Sequence, residues 1–254
     1  MRVGFFYTVF DGFELLPGSM SQLENFADEI VIVWQDVSNT GNKCDEVQSF
    51  VEKLTSINIH TVQYFPDLRL NAKENERLKH NLALRFLKKL QCTHFIAGAC
   101  DHYYRPEDLQ RIKKVAPLYD VTLTSMFTYY KYPEWQLTPI EDYYMPFMHK
   151  LYPETEFVNT PYVKYLTDPS VRVNTRSTMI LFHRDDIMLH HYSMVRIDIE
   201  KKLRNSASFH RWKESQVKQM IFEYNNYDIK ENPGVGYFSG RRIKEVPNYF
   251  PELL

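Results

Sequence analysis

Residues 95 to 109 read FIAGACDHYYRPEDL, and the residue types in this stretch suit chemistry. An apolar run ends at Gly98, Ala99 and Cys100 and is followed directly by Asp101 and His102. A carboxylate beside an imidazole at the end of a buried strand can hold a divalent ion or face a phosphate. The same acid can instead cap the helix that PEDLQRIKKVA predicts. The surrounding elements decide which use the fold makes of it.

Those elements alternate through the first hundred residues. RVGFFYTVF, DEIVIVWQD, INIHTVQYF and THFIAGAC read as four strands, the first two apolar enough to be covered on both faces. Between them lie DGFELLPGSMSQLENFA, CDEVQSFVEKLTS and AKENERLKHNLALRFLKKLQ, each with helical spacing of apolar residues. The order β-α-β-α-β-α-β predicts an α/β fold with a mostly parallel sheet and helices on both faces. In such sheets ligands sit beyond the carboxyl ends of the strands. The strand ends fall at Thr8 to Asp11, at Asp36 to Asn42 and at Asp101-His102.

The pattern changes after about residue 115. VTLTSMFTYYKYP reads as extended, PIEDYYMPFMHKLYP as aromatic and broken by prolines, and RSTMILFHRDDIMLHHYSMVR as a strand pair. IDIEKKLRNSASFHRWKESQVKQMIFEYN reads as two helical pieces, and the remaining tail as a loop punctuated by Gly and Pro. Without a linker or repeat, residues 1–254 are expected to form one domain. Its halves are 1–110 and an elaborated 111–254.

A formal net charge of −1 argues against a globally basic nucleic-acid or membrane binder. The distribution is uneven: residues 1–70 carry ten acids and four bases, whereas 184–244 carry twelve bases and eight acids. Three cysteines without C-x-x-C spacing argue against a disulfide framework and against structural zinc. No run is long and apolar enough to suggest a membrane span, and the first strand reaches Asp11 too soon for a signal peptide. A cytoplasmic protein of a bacterium or a virus-infected host is expected. The phosphate loop G-x-x-x-x-G-K-[ST], the dinucleotide turn G-x-G-x-x-G and the elbow G-x-S-x-G do not occur.

The order of strand, acidic turn, helix and ADEIVIVWQDVSNTGN resembles the start of family 2-type glycosyltransferases of the GT-A fold. ERLKHNLALRFLKKLQCTHFIAGACDHYYRPEDL resembles that family's next block, a helix followed by a strand ending in a D-x-D-type metal motif. Here Ala99 stands at the first Asp, Asp101 at the second, and His102 at the glutamate that often follows. MLHHYSMVR resembles the downstream H-x-S segment, with His191 in register and His190 beside it.

The resemblance implies the following roles. Asp101 and His191 would bind Mn²⁺ or Mg²⁺. Thr8, Asp11, Asp36, Ser38, Lys79, Asn81 and Lys202 would bind a nucleotide-diphosphate sugar, a UDP-sugar above others. Glu141 or Asp142 would act as the base that takes the acceptor hydroxyl proton in an inverting transfer. Tyr143, Tyr144, Arg241 and Arg242 would face the acceptor, either a glycan or the hydroxymethylated base of modified DNA. Basic residues interleaved with Phe209, Trp212, Tyr237 and Phe238 suit the DNA alternative. A nucleotidyltransferase is a second reading. A non-catalytic binding module that has lost its metal site, as Ala99 suggests, is a third.

Overall fold

The computed structural model describes residues 1–23, 25–162, 164–174, 178–183, 186–206, 209–231, 234–235 and 240–253. The first hundred residues alternate as expected. Strands β1 (Val3–Val9), β2 (Glu29–Trp34), β3 (Ile59–Gln63) and β4 (His94–Gly98) are separated by helices α1 (Leu16–Ser21), α2 (Glu46–Val51) and α3 (Ala72–Lys89). They pair in parallel in the order β3-β2-β1-β4. Every residue of β2 and β4 is buried, which is why both read as unbroken apolar runs. Gly98 lies against the Phe5 ring, where a Cβ would overlap it, so only glycine lets β4 end there.

The second half extends the same sheet with mixed directions. Strand β5 (His102–Tyr103) precedes helix α4 (Pro106–Val115). Strands β6 (Val121–Tyr130), β7 (Tyr132–Thr138) and β8 (Met145–Lys150) follow. β8 runs antiparallel between β4 and β6, so the two halves share one hydrogen-bonded sheet. β9 (Met179–Leu181) and β10 (Met188–Met194) both lie parallel to β6. Helices α5 (Ile199–Asn205) and α6 (Glu214–Asn226) come next. β11 (Gly234–Val235) and β12 (Arg241–Glu245) extend the edge beyond β7.

Two segments differ from their sequence reading. The aromatic, proline-broken stretch forms β8, with Met145 to His149 buried, and the apparent tail loop forms β12. Only Ile243 is buried in β12, so that strand lacks an apolar run to announce it. Among the described residues no helix is long and apolar enough to cross a membrane.

His149 shows how the core treats histidine. It is fully buried and stacked on Phe95 with ring centroids 4.7 Å apart. Neither ring nitrogen has a hydrogen-bond partner among the described residues. Burial pushes its pKa down to about 3. The folded protein therefore keeps it neutral where the unfolded chain, at an ordinary pKa of about 6.5, takes up a proton. Stability should be complete above pH 6.5 and should fall as pH drops from 6.5 toward 3. At pH 5 this one residue should cost roughly 2 kcal/mol. His149→Phe should flatten that slope in urea unfolding measured from pH 7.5 to 5, and an unchanged slope would show that His149 is not its source.

Candidate functional site

The carboxyl ends of β1, β2 and β4 open onto a cavity of about 820 Å³. Thr8 and Asp11 reach it from β1, Gln35 and Ser38 from β2, and residues 98–102 from β4. Lys79 of α3, Lys202 of α5 and His191 and Arg196 from β10 and its end complete the inner wall.

Asp101 is the centre of the site and only 4% exposed. Its Oδ2 accepts from Arg196 Nη2 at 2.5 Å, and Lys202 Nζ lies 3.6 Å from the same oxygen. Burial opposes ionisation of the carboxyl, but Arg196 and then Lys202 outweigh it and hold the group well below the usual carboxylate range. As a strand-end acid Asp101 would contribute little to the core; the structure instead makes it one half of a buried ion pair. Arg196 is itself buried and lies over Gly12, where a Cβ would overlap its Nη1. Gly12 also has φ +69, a second reason for glycine at that turn.

The opposite oxygen of Asp101 faces two imidazoles. The antiparallel β5–β10 register places His102 directly across from His191. Their rings meet edge to face at 5.1 Å. From Asp101 Oδ1, His191 Nε2 is 3.8 Å away and His102 Nε2 is 4.0 Å away. Burial keeps both rings neutral, with His191 pushed down to about 3 and His102 also lowered, against the opposing pull of Asp101. Each ring's Nδ1 is buried without a hydrogen-bond partner among the described residues. One donor atom from each of Asp101, His102 and His191 lies within 4.8 Å of the others. Two neutral imidazoles and a carboxylate oxygen so arranged fit a divalent ion.

The remaining expected donor residues divide between the cavity and other places. Thr8, Asp11, Ser38, Lys79 and Lys202 line it, as does Tyr143, which was expected to face the acceptor. Lys79 Nζ donates to Gln35 Oε1 at 2.9 Å, and burial lowers its pKa. The Ser38 hydroxyl accepts from the Thr40 and Asn42 amides, so it organises its own loop. Asp36 is not on the cavity wall; its carbonyl accepts from the Cys44 amide. Asn81 is also absent from the wall, because its side-chain amide bridges the Phe157 backbone from both sides.

The expected catalytic and acceptor residues sit mostly outside the wall. Glu141 accepts from Arg241 Nη1 at 2.5 Å and from the Thr128 hydroxyl at 3.1 Å. Asp142 and Arg242 are exposed. Tyr144 packs beside Val121, Leu123 and Tyr162. Tyr237 and Phe238 lie outside the described residues. The sequence reading passed over Arg196, Gln35 and Asp168, all of which line the cavity. Asp168 sits in Asp-Pro-Ser, which reads as an ordinary turn; its Oδ1 accepts from the Ser170 amide at 2.7 Å. Arg196 closes MLHHYSMVR, where a strand-end arginine reads as surface.

No protein-family profile matches the sequence, and no curated protein matches it. Solved structures do. That of S. aureus TarS residues 1–349 is 14% identical, with a TM-score of 0.48 over 91% of this chain and 72% of that one. The same residues of TarS in complex with UDP-GlcNAc are 14% identical, with a TM-score of 0.44 over 91% of this chain and 73% of that one. A longer S. aureus TarS structure is 13% identical, with a TM-score of 0.47; the match covers 91% of this chain but only 45% of that one.

The Arg196–Asp101 pair yields a prediction that does not depend on function. Arg196→Gln leaves the buried carboxylate with only Lys202 as a charged partner and should cost about 3 kcal/mol. Asp101→Asn should cost a similar amount, and the double variant much less than the two together, with a coupling of at least ~2 kcal/mol. Urea unfolding of the four proteins at pH 7.5 measures this, and additive losses would mean that the pair is not a structural unit.

Proposed function

We propose that this chain transfers a sugar from a nucleotide-diphosphate donor to a hydroxyl acceptor. The observation that carries the reading is the cavity wall beyond β1, β2 and β4. It sets Arg196 and Lys202 beside Asp101, with Lys79 elsewhere on the same wall. A diphosphate is the ligand such a wall suits, and the buried Arg196 Nη1, which makes no hydrogen bond among the described residues and lies 3.9 Å from Glu14 Oε1, is a ready donor to it. The resemblance stated above implies a UDP-sugar. A divalent ion bound by Asp101 and His191 would add positive charge beside the leaving diphosphate.

The chain's own residues then orient the donor and remove one proton. The acceptor oxygen attacks the anomeric carbon, the bond from that carbon to the diphosphate oxygen breaks, and the hydroxyl proton passes to a carboxylate. Glu141 and Asp142 remain candidates for that base. Asp168 is a third, and the position of Glu141 in a salt bridge with Arg241, off the cavity wall, favours Asp168. Asp168→Asn should then lower kcat at least about a hundredfold with KM for the donor little changed, and Glu141→Gln should have a much smaller effect. The reverse order would return the role to Glu141.

Donor binding is testable without knowing the acceptor. Saturating UDP should raise the Tm by about 5–10 °C, and Lys202→Ala should reduce that shift. Absence of a shift with every nucleoside diphosphate would sink the reading, leaving a binding module or a nucleotidyltransferase to be tested with other ligands.

The acceptor follows from where the basic residues are spent. Arg204 pairs with Glu200 and Glu214, and Arg241 with Glu141. Lys201 lies near Glu46, and Arg196 near Glu14. That takes up Arg204 and Arg241, two of the bases suited to a polyanion, and on this ground a glycan hydroxyl is preferred over modified DNA. Transfer to a glycan should be nearly unchanged between ~50 and ~200 mM salt, whereas a DNA acceptor would lose affinity steeply over that range. A steep loss in acceptor titrations would restore the nucleic-acid reading.

A further inference from the structure

We infer that His102 is a third protein ligand to the ion, beside Asp101 and His191, and that the resulting site favours nitrogen-preferring first-row ions. Zn²⁺ and Co²⁺ should bind better than Mn²⁺, and Mn²⁺ better than Mg²⁺. The inference rests on the proposed reading only in placing a divalent ion at Asp101 and His191.

Three features of the site carry it. The β5–β10 register holds the two imidazoles on one face, with both Nε2 atoms turned toward the same Asp101 oxygen. Ligand bonds of about 2.1 Å put donor atoms about 3.0–3.5 Å apart, so separations of 3.8 and 4.0 Å close with movements under about 1 Å. Secondly, Arg196 occupies Asp101 Oδ2, which leaves one carboxylate oxygen for the ion. The protein ligands are then two nitrogens and one oxygen, a set suited to borderline ions, whereas Mg²⁺ demands oxygen.

The third feature is charge. Arg196 at 2.5 Å and Lys202 at 3.6 Å more than offset the single carboxylate. A hard ion held mainly by electrostatic attraction loses most in that setting; an ion bound through imidazole nitrogen loses least. His102 is also 93% withdrawn from solvent, with a buried Nδ1 that nothing described satisfies. His190, the neighbouring histidine, does have a partner, since its Nδ1 lies 2.7 Å from the Tyr129 hydroxyl.

The test titrates Co²⁺ into the whole protein at pH 7.5 without nucleotide and follows its visible absorption. The bound ion should give a new band, and a hundredfold excess of Mg²⁺ should leave it in place while equimolar Zn²⁺ removes it. His102→Ala should weaken Co²⁺ binding at least about tenfold, and His190→Ala should leave it unchanged. His102→Gln, which keeps the side-chain bulk, decides the matter if the alanine variant does not fold. Displacement by Mg²⁺ at comparable concentration, wild-type binding in the folded His102 variants, or no Co²⁺ band would each overturn the inference. A UDP thermal shift, sought both with Mn²⁺ present and in EDTA, separates this result from the transfer reading. Its absence counts against transfer whatever Co²⁺ does, and its presence without a Co²⁺ band counts only against the ion site.

Discussion

The ion pair between Arg196 and Asp101 is the contact on which the arrangement of the site depends. It ties the turn between β4 and β5 to the segment just after β10, both of which line the cavity. Both partners are buried, so neither charge can be left alone without a large penalty. The pair also divides the work of the carboxylate. One oxygen faces cations and the other faces imidazoles, and that division turns an acid at a strand end into a centre with two distinct sides. Gly12 completes the constraint from the third direction, since any side chain there would push Arg196 out of place.

The first hundred residues were legible because their strands are covered on both faces. Val3–Val9, Glu29–Trp34 and His94–Gly98 are almost wholly buried, so their sequences are apolar apart from Thr8, Glu29 and His94. The second half hides its strands for the opposite reason. β12 exposes much of its length, β7 mixes buried with half-buried residues, and β8 begins Met-Pro at a point where proline argues against a strand. β5 has two residues and could not have been seen by periodicity at all. Yet β5 determines the geometry of the site, because its register with β10 sets His102 across from His191.

Site residues were legible where topology alone fixes them. Thr8, Asp11 and Asp101 follow strand ends, and the cavity lies beyond the strand ends. Prediction from helix position was weaker. Lys79 and Asn81 are two residues apart on α3, and a helix turns by about 200° over that step. Lys79 therefore faces the cavity while Asn81 faces the Phe157 backbone. Arg196 and Asp168 carried no local signal, since an arginine ending a strand and an aspartate before Pro-Ser both read as punctuation. Their roles come from what the fold brings beside them.

The uneven charge of the sequence takes its meaning from the same geometry. The acidic first seventy residues and the basic segment after 184 look like two surfaces awaiting two partners. In the folded chain two acids of the first stretch, Glu46 and Glu14, lie beside cations of the second. Lys201 lies 3.9 Å from Glu46 and 3.3 Å from the Cys44 sulfur, and Arg196 lies 3.9 Å from Glu14. Asn205, at the end of α5, accepts from Asn42 in the loop after β2. The cations of α5 and of the β10 end are thus drawn across the cavity mouth by acids of the first half, which holds Lys202 and Arg196 over the strand ends. A charge asymmetry that would make sense as steering on an open surface works here as internal alignment: opposite charges on the two halves set the cationic wall of the cavity.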